Sequence, residues 1–237
     1  SGAGASWAEN IIHKLKPLAV RPLAEVLIGY SAEGRALTAE DPALSLVQWA
    51  AEPAEPQVYA RRILQQPAAG ESPRHVLMFQ GLVDHYILPR IANAMSLSLG
   101  LDLAVEAFDS AQQTGLVGQT PLAEVLSYSG RARISLPASE NYRGPNGARV
   151  TAVVVQHPED KIEDGHEIAY QSEVARREYR CFLESFGKGN PRVHHRDDGR
   201  HCPLHAAQLC PHAEIHSGEC PGGSGFFRYQ TMRITEV

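Results

Sequence analysis

Two runs of apolar residues stand out from an otherwise mixed pattern. Val76-Leu-Met-Phe79 and the β-branched run in Arg149-Val-Thr-Ala-Val-Val-Val-Gln156 show no alternation with polar residues. That pattern predicts strands buried on both faces, as in parallel sheets. Gly81 closes the first run, and Pro89 suits the first turn of a following helix. Ile91, Met95 and Leu99 then share one face, which predicts a helix from Pro89 to about Ala104. The second run leads through an acidic loop, His157 to His166, into a helix predicted from Glu167 to about Phe186. Its buried stripe is expected to be Ala175, Tyr179, Phe182, Leu183 and Phe186, with Glu173, Arg176, Arg177 and Arg180 facing water. Strand–loop–helix, an excursion, then strand–loop–helix predicts an α/β fold: a parallel sheet with helices on its faces.

Ahead of the first strand the pattern is helical and broken by prolines. Trp7 to Lys16 and the apolar cluster Leu23, Val26, Leu27 and Ile28 predict two helices. Asp41-Pro42 reads as an N-cap with proline at the first helical position, opening Ala43 to Ala51. Pro53 and Pro56 interrupt that helix, and Val58 to Gln65 resumes it. Such a succession cannot extend a sheet, so residues 7–66 are expected to form a helical cap segment. Between 105 and 149 the signals are weaker: a short apolar piece at Leu122 to Leu126, a possible edge strand at Arg133 to Leu136, and a turn-rich stretch from Asn141 to Arg149. Beyond Gly187 neither period persists and His, Cys, Pro and Gly dominate, so 187–237 is expected to be a separate, irregular region.

Composition narrows the classes. With 43% hydrophobic and 21% charged residues the chain can bury a core. A net charge of −5 with scattered basic residues argues against a general nucleic-acid binder. No apolar run approaches the ~20 residues needed to span a bilayer. The opening Ser1-Gly2-Ala3-Gly4 has neither methionine nor a signal-peptide pattern, and the sequence is expected to be part of a longer protein.

The candidate chemistry sits after the two strands. Asp84 follows the first and His166 the second, at the carboxyl edge where open α/β sheets bind their ligands. Each has a plain alternative: Asp84 as a turn former, His166 as a helix-capping residue beside the ordinary first-turn carboxylates Asp164 and Glu167. His85 and His157 are further candidate bases. His157, between the strand end and Pro158, is expected to structure the loop, and His75, ahead of a strand, to be a surface residue. Trp49 and Tyr59 are expected to belong to the core or to line a pocket.

Acid before histidine in chain order, each in the loop after a parallel strand, is the later part of a Ser…Asp…His series. On Gln80-Gly81-Leu82-Val83-Asp84 with Pro89, and on Asp164-Gly165-His166 with its amphipathic closing helix, residues 1–186 resemble the carboxyl-terminal portion of the α/β-hydrolase superfamily, serine esterases and lipases in particular. The resemblance implies that His166 takes the proton from a serine hydroxyl attacking an ester carbonyl, and that Asp84 holds the other ring N–H. No nucleophile is found. Gly29-Tyr30-Ser31-Ala32-Glu33-Gly34 has glutamate where the closing glycine of G-x-S-x-G belongs and no strand before it, and Ser1 and Ser6 also lack the motif. The expected function is thus the acid-and-histidine part of an ester hydrolase, inactive alone, with no cofactor or metal and a small-molecule or lipid ester as substrate. The other reading is a non-catalytic remnant of the fold, or a binding module with a metal- or disulfide-bearing tail. Cys202, His205, Cys210, His212, His216 and Cys220 could ligate zinc, pair in disulfides among themselves or with Cys181, or have no designed structure. Disulfides would place the protein in the cell envelope or outside the cell.

Overall fold

A computed structural model of the chain describes residues 6–108, 120–158, 162–194 and 202. The chain divides into two compact units, Ser1–Gly199 and Arg200–Val237. In the first unit, strands β1 (Val76–Gly81), β2 (Asp102–Ala104), β3 (Arg133–Ile134) and β6 (Ala152–His157) form a parallel sheet in the order β1-β6-β2-β3. β4 (Tyr142–Arg143) and β5 (Arg149–Val150) make a small antiparallel ribbon beside it. The helices are α1 (Trp7–His13), α2 (Arg21–Leu27), α3 (Pro42–Ala51), α4 (Pro56–Leu64), α5 (Pro89–Leu99), α6 (Leu122–Val125), α7 (Ile168–Gln171) and α8 (Glu173–Gly187). This is an α/β architecture with a mostly parallel sheet.

β6 is the hub. All six of its residues are buried, and successive ones face opposite sides. Ala152 and Val154 join Met95, Leu99, Leu103, Leu122 and Tyr142 on one face, while Val153 and Val155 meet Ala138, Phe182 and Val193 on the other. α4 belongs to the first layer, because Ala60 and Leu64 are buried against α5. The expected single strand from Arg149 to Gln156 is broken at Thr151. The Thr151 N–H donates to His75 Nδ1 at 3.0 Å, and its hydroxyl donates to the Pro191 carbonyl at 2.6 Å. His75 is therefore not the plain surface residue expected. Its burial lowers its pKa, which suits an imidazole that accepts a backbone hydrogen bond.

β1 departs from expectation in the opposite sense. Val76 to Phe79 are only half-buried, because β1 is the terminal strand of the sheet and pairs with β6 alone among the described strands. An apolar run reports what a strand can bury, whereas its place in the sheet decides what it does bury. α5 ends earlier than its apolar spacing suggested: Gly100 takes the left-handed conformation (φ 80°) and the chain turns into β2. Asp41 caps α3 as expected, accepting from the Ala43 N–H at 2.9 Å.

The expected helix from Glu167 is divided at Ser172, whose side chain caps α8 by accepting from the Ala175 N–H. The expected stripe is also rotated. Ala175, Glu178, Cys181 and Phe182 are buried, while Leu183 and Phe186 are more than half exposed. Glu178 is drawn inside by His157, the last residue of β6: His157 Nε2 lies 3.0 Å from Glu178 Oε2, with both side chains almost fully buried. His157 thus also joins sheet to helix. Trp49 and Tyr59 are not core either; both are exposed and line a shallow surface hollow with Pro53 and Val58. Cys181 and Cys202 are both disulfide-bonded, which meets one of the readings left open for the cysteines. His205, Cys210, His212, His216 and Cys220 lie outside the described residues. Among the described residues no helix is long and apolar enough to cross a membrane.

Removing one member of a buried polar pair strands the other without water. Glu178→Ala is expected to destabilise the protein by about 3 kcal/mol in urea denaturation, and Glu178→Gln by clearly less.

Candidate active site

The site forms where β1 and β6 end side by side. Their register pairs Gly81 with His157, so both loops leave the sheet at the same level. A buried side-chain ladder ties the two strand ends just below. Gln156 Nε2 donates to Gln80 Oε1 (3.0 Å), and Gln80 Nε2 donates to Asn93 Oδ1 (2.6 Å) and the Pro89 carbonyl (3.3 Å). Gln156 Oε1 in turn accepts from the Phe108 N–H (2.8 Å). The amides of both glutamines are thereby engaged inside the protein.

Above this ladder the loops touch backbone to backbone. A Cβ on Gly81 would land on the Gly165 carbonyl, and one on Gly165 would press on the Leu82 carbonyl and come within 2.8 Å of the Asp84 nitrogen. Neither position has room for a side chain. Between them Val83 holds a left-handed φ of 58°, unusual for a β-branched residue and costing on the order of 1–3 kcal/mol. This tight path sets down Asp84 opposite His166.

Asp84 is buried, and its two oxygens divide the work. Oδ1 accepts from the N–H groups of Tyr86 (2.7 Å) and Ile87 (2.8 Å), while Oδ2 meets His166 Nδ1 at 3.2 Å. Both readings of Asp84 therefore describe it: it shapes the turn and partners the histidine. Burial pushes its pKa up, against the pull of the two N–H groups and of His166. The His166 ring lies nearly parallel to Tyr86, 4.7 Å between centroids. With Nδ1 turned to Asp84, Nε2 takes no hydrogen bond from the described residues, so the ring can accept a proton there.

A second carboxylate lies beside the first in a contrasting environment. Asp164 Oδ1 accepts from the N–H groups of His85 and His166, each at 3.1 Å. Its Oδ2 is 2.8 Å from Lys16 Nζ and 2.9 Å from His85 Nδ1. Burial pushes Asp164 up, but the Lys16 ammonium and the His166 and His85 donors outweigh it and hold the pKa at about 2. The partnerships are crossed: Asp84 of the first loop serves His166 of the second, and Asp164 of the second serves His85 of the first. His85 is thus committed to Asp164 rather than to Asp84. Of this second set, Asp164 is legible in the sequence as a helix-start carboxylate and as part of Asp164-Gly165-His166. Lys16, 148 residues away, carries no signal in the sequence.

A groove of about 450 Å³ runs along β1 between α5 and α7 and ends at Asp84 and His166. Met78, Phe79, Met95, Leu99 and Ile168 give it an apolar lining. Among the described residues no serine or cysteine lines it. Ser31 lies in a short 3₁₀ turn, Tyr30–Glu33, among the N-terminal helices and follows no strand. Compared with known family models, curated proteins and solved structures, the chain matches none.

Two outcomes follow from this geometry. Gly165→Ala is expected to force the loops apart and cost at least ~2 kcal/mol in chemical denaturation. Asp164, with its folded pKa depressed from 3.8 to about 2, contributes stability that is present above pH ~4 and is lost as pH falls towards ~2. Asp164→Asn is therefore expected to cost on the order of 2 kcal/mol at pH 7, with the gap to the wild type closing across that acid window. Asp84 has the opposite sign: its raised pKa favours the fold when protonated, and that contribution is lost as pH rises through it.

Proposed function

We propose that this chain supplies the acid and the histidine of a serine carboxylic-ester hydrolase of the α/β-hydrolase type, while its 237 residues lack the G-x-S-x-G nucleophile elbow. The observation that carries the reading is the 3.2 Å contact between Asp84 and His166 at the ends of adjacent parallel strands. In this reading Asp84 keeps the Nδ1–H tautomer and stabilises the imidazolium. His166 Nε2 takes the proton from the attacking hydroxyl and returns it to the leaving alcohol. The edge of β1 that no described strand pairs with, and the groove along it, support the reading, since a further strand seated there would end next to His166.

The 237-residue chain is expected neither to hydrolyse p-nitrophenyl esters nor to be labelled by a fluorophosphonate probe; labelling at Ser31 would overturn the proposal. In the polypeptide extended by its upstream coding sequence, activity is expected, and Asp84→Asn should lower kcat by ~10⁴. A loss under tenfold would reduce Asp84 to a turn former. An inactive extended polypeptide would favour a remnant of the fold that binds without catalysing.

A further inference from the structure

His166 occupies a weakly supported position. It lies within a three-residue 3₁₀ turn, Gly165–Glu167, followed by the four-residue α7, and its ring is about a quarter exposed. Neither element is long enough to hold a side chain in place by its own hydrogen bonds. The crossed carboxylate provides the missing constraint. One oxygen of Asp164 bridges the two loops by taking the backbone N–H of His85 from one and of His166 from the other. Its second oxygen is anchored by Lys16 Nζ and His85 Nδ1, and Asp164 is only 2% exposed. Lys16 also donates its backbone N–H to the His85 carbonyl at 3.2 Å, and its ammonium sits 6.0 Å from the Tyr86 ring that stacks on His166.

We propose that Asp164 is a positioning residue for His166, strapping the histidine loop to the acid loop so that the imidazole reaches Asp84, and that Lys16 anchors the strap. The proposal rests on the reading of Asp84 and His166 as a proton-transfer pair. It goes beyond capping, since an N-cap needs only the bond to the His166 N–H, which serine can also make. The bonds to His85 and Lys16 need the reach and charge of aspartate. A cap alone and a strap therefore predict different behaviour for Asp164→Ser.

The test is the tautomer of His166, read from imidazole ¹⁵N shifts of the ¹⁵N-labelled 237-residue chain at neutral pH. In the wild type His166 is expected in the Nδ1–H form, and Asp84→Ala should abolish that preference. Asp164→Ser is expected to abolish it as well, although the cap is kept and Asp84 is intact. Lys16→Met should weaken it in the same direction, with Lys16→Arg restoring it. If Asp164→Ser keeps the Nδ1–H form while Asp84→Ala loses it, the strap is refuted and the proton-transfer pair stands. If the wild type lacks that form, or Asp84→Ala retains it, both fail. Should Asp164→Ser not fold, the Lys16 pair decides: a tautomer unchanged in Lys16→Met overturns the proposal.

Discussion

The arrangement at the sheet's carboxyl edge depends on one close approach, the backbone contact between the loops that follow β1 and β6. Gly81 and Gly165 are the positions where that contact leaves no volume for a side chain. Because the two strands are neighbours in register, their loops emerge at one level, and because the loops touch, short side chains suffice to span them. Asp84 can reach His166, and Asp164 can reach His85, only under that condition. The left-handed Val83 is the local consequence: the chain adopts a conformation poor for a β-branched residue because the surroundings over-determine it.

The same loops give two carboxylates opposite characters. Asp84 has its pKa pushed up by burial, with two backbone N–H groups and one imidazole to offset it. Asp164 is also buried but faces an ammonium and a set of donors from both loops, and stays ionised well into acid. The same few residues thus hold two neighbouring carboxyl groups whose pKa values move in opposite directions.

A second buried pair, His157 with Glu178, shows how chemistry-bearing residues can be turned to structure. It sits only a strand's end away from the candidate site, yet it joins β6 to α8 in a nearly dry setting. It also accounts for the rotation of α8, whose inner face accepts a glutamate and leaves two large apolar residues outside. A polar partner inside can outrank apolar periodicity, since removing one member of a buried polar pair is costly.

Much was legible in the residues alone. The two apolar runs, the proline-broken helices, the Asp41 cap and the order of acid before histidine are local facts, decided by side-chain chemistry and spacing along the chain. They determined an α/β fold and named Asp84 and His166. Tertiary structure decided the rest. It left β1 at the sheet's edge and half-exposed and broke the β5–β6 run at Thr151. It also brought Lys16 and Asp164 together from opposite ends of the described chain. None of these is encoded by a period or a motif, because each depends on which segments meet in space. The strap at the two loops is a property of that meeting.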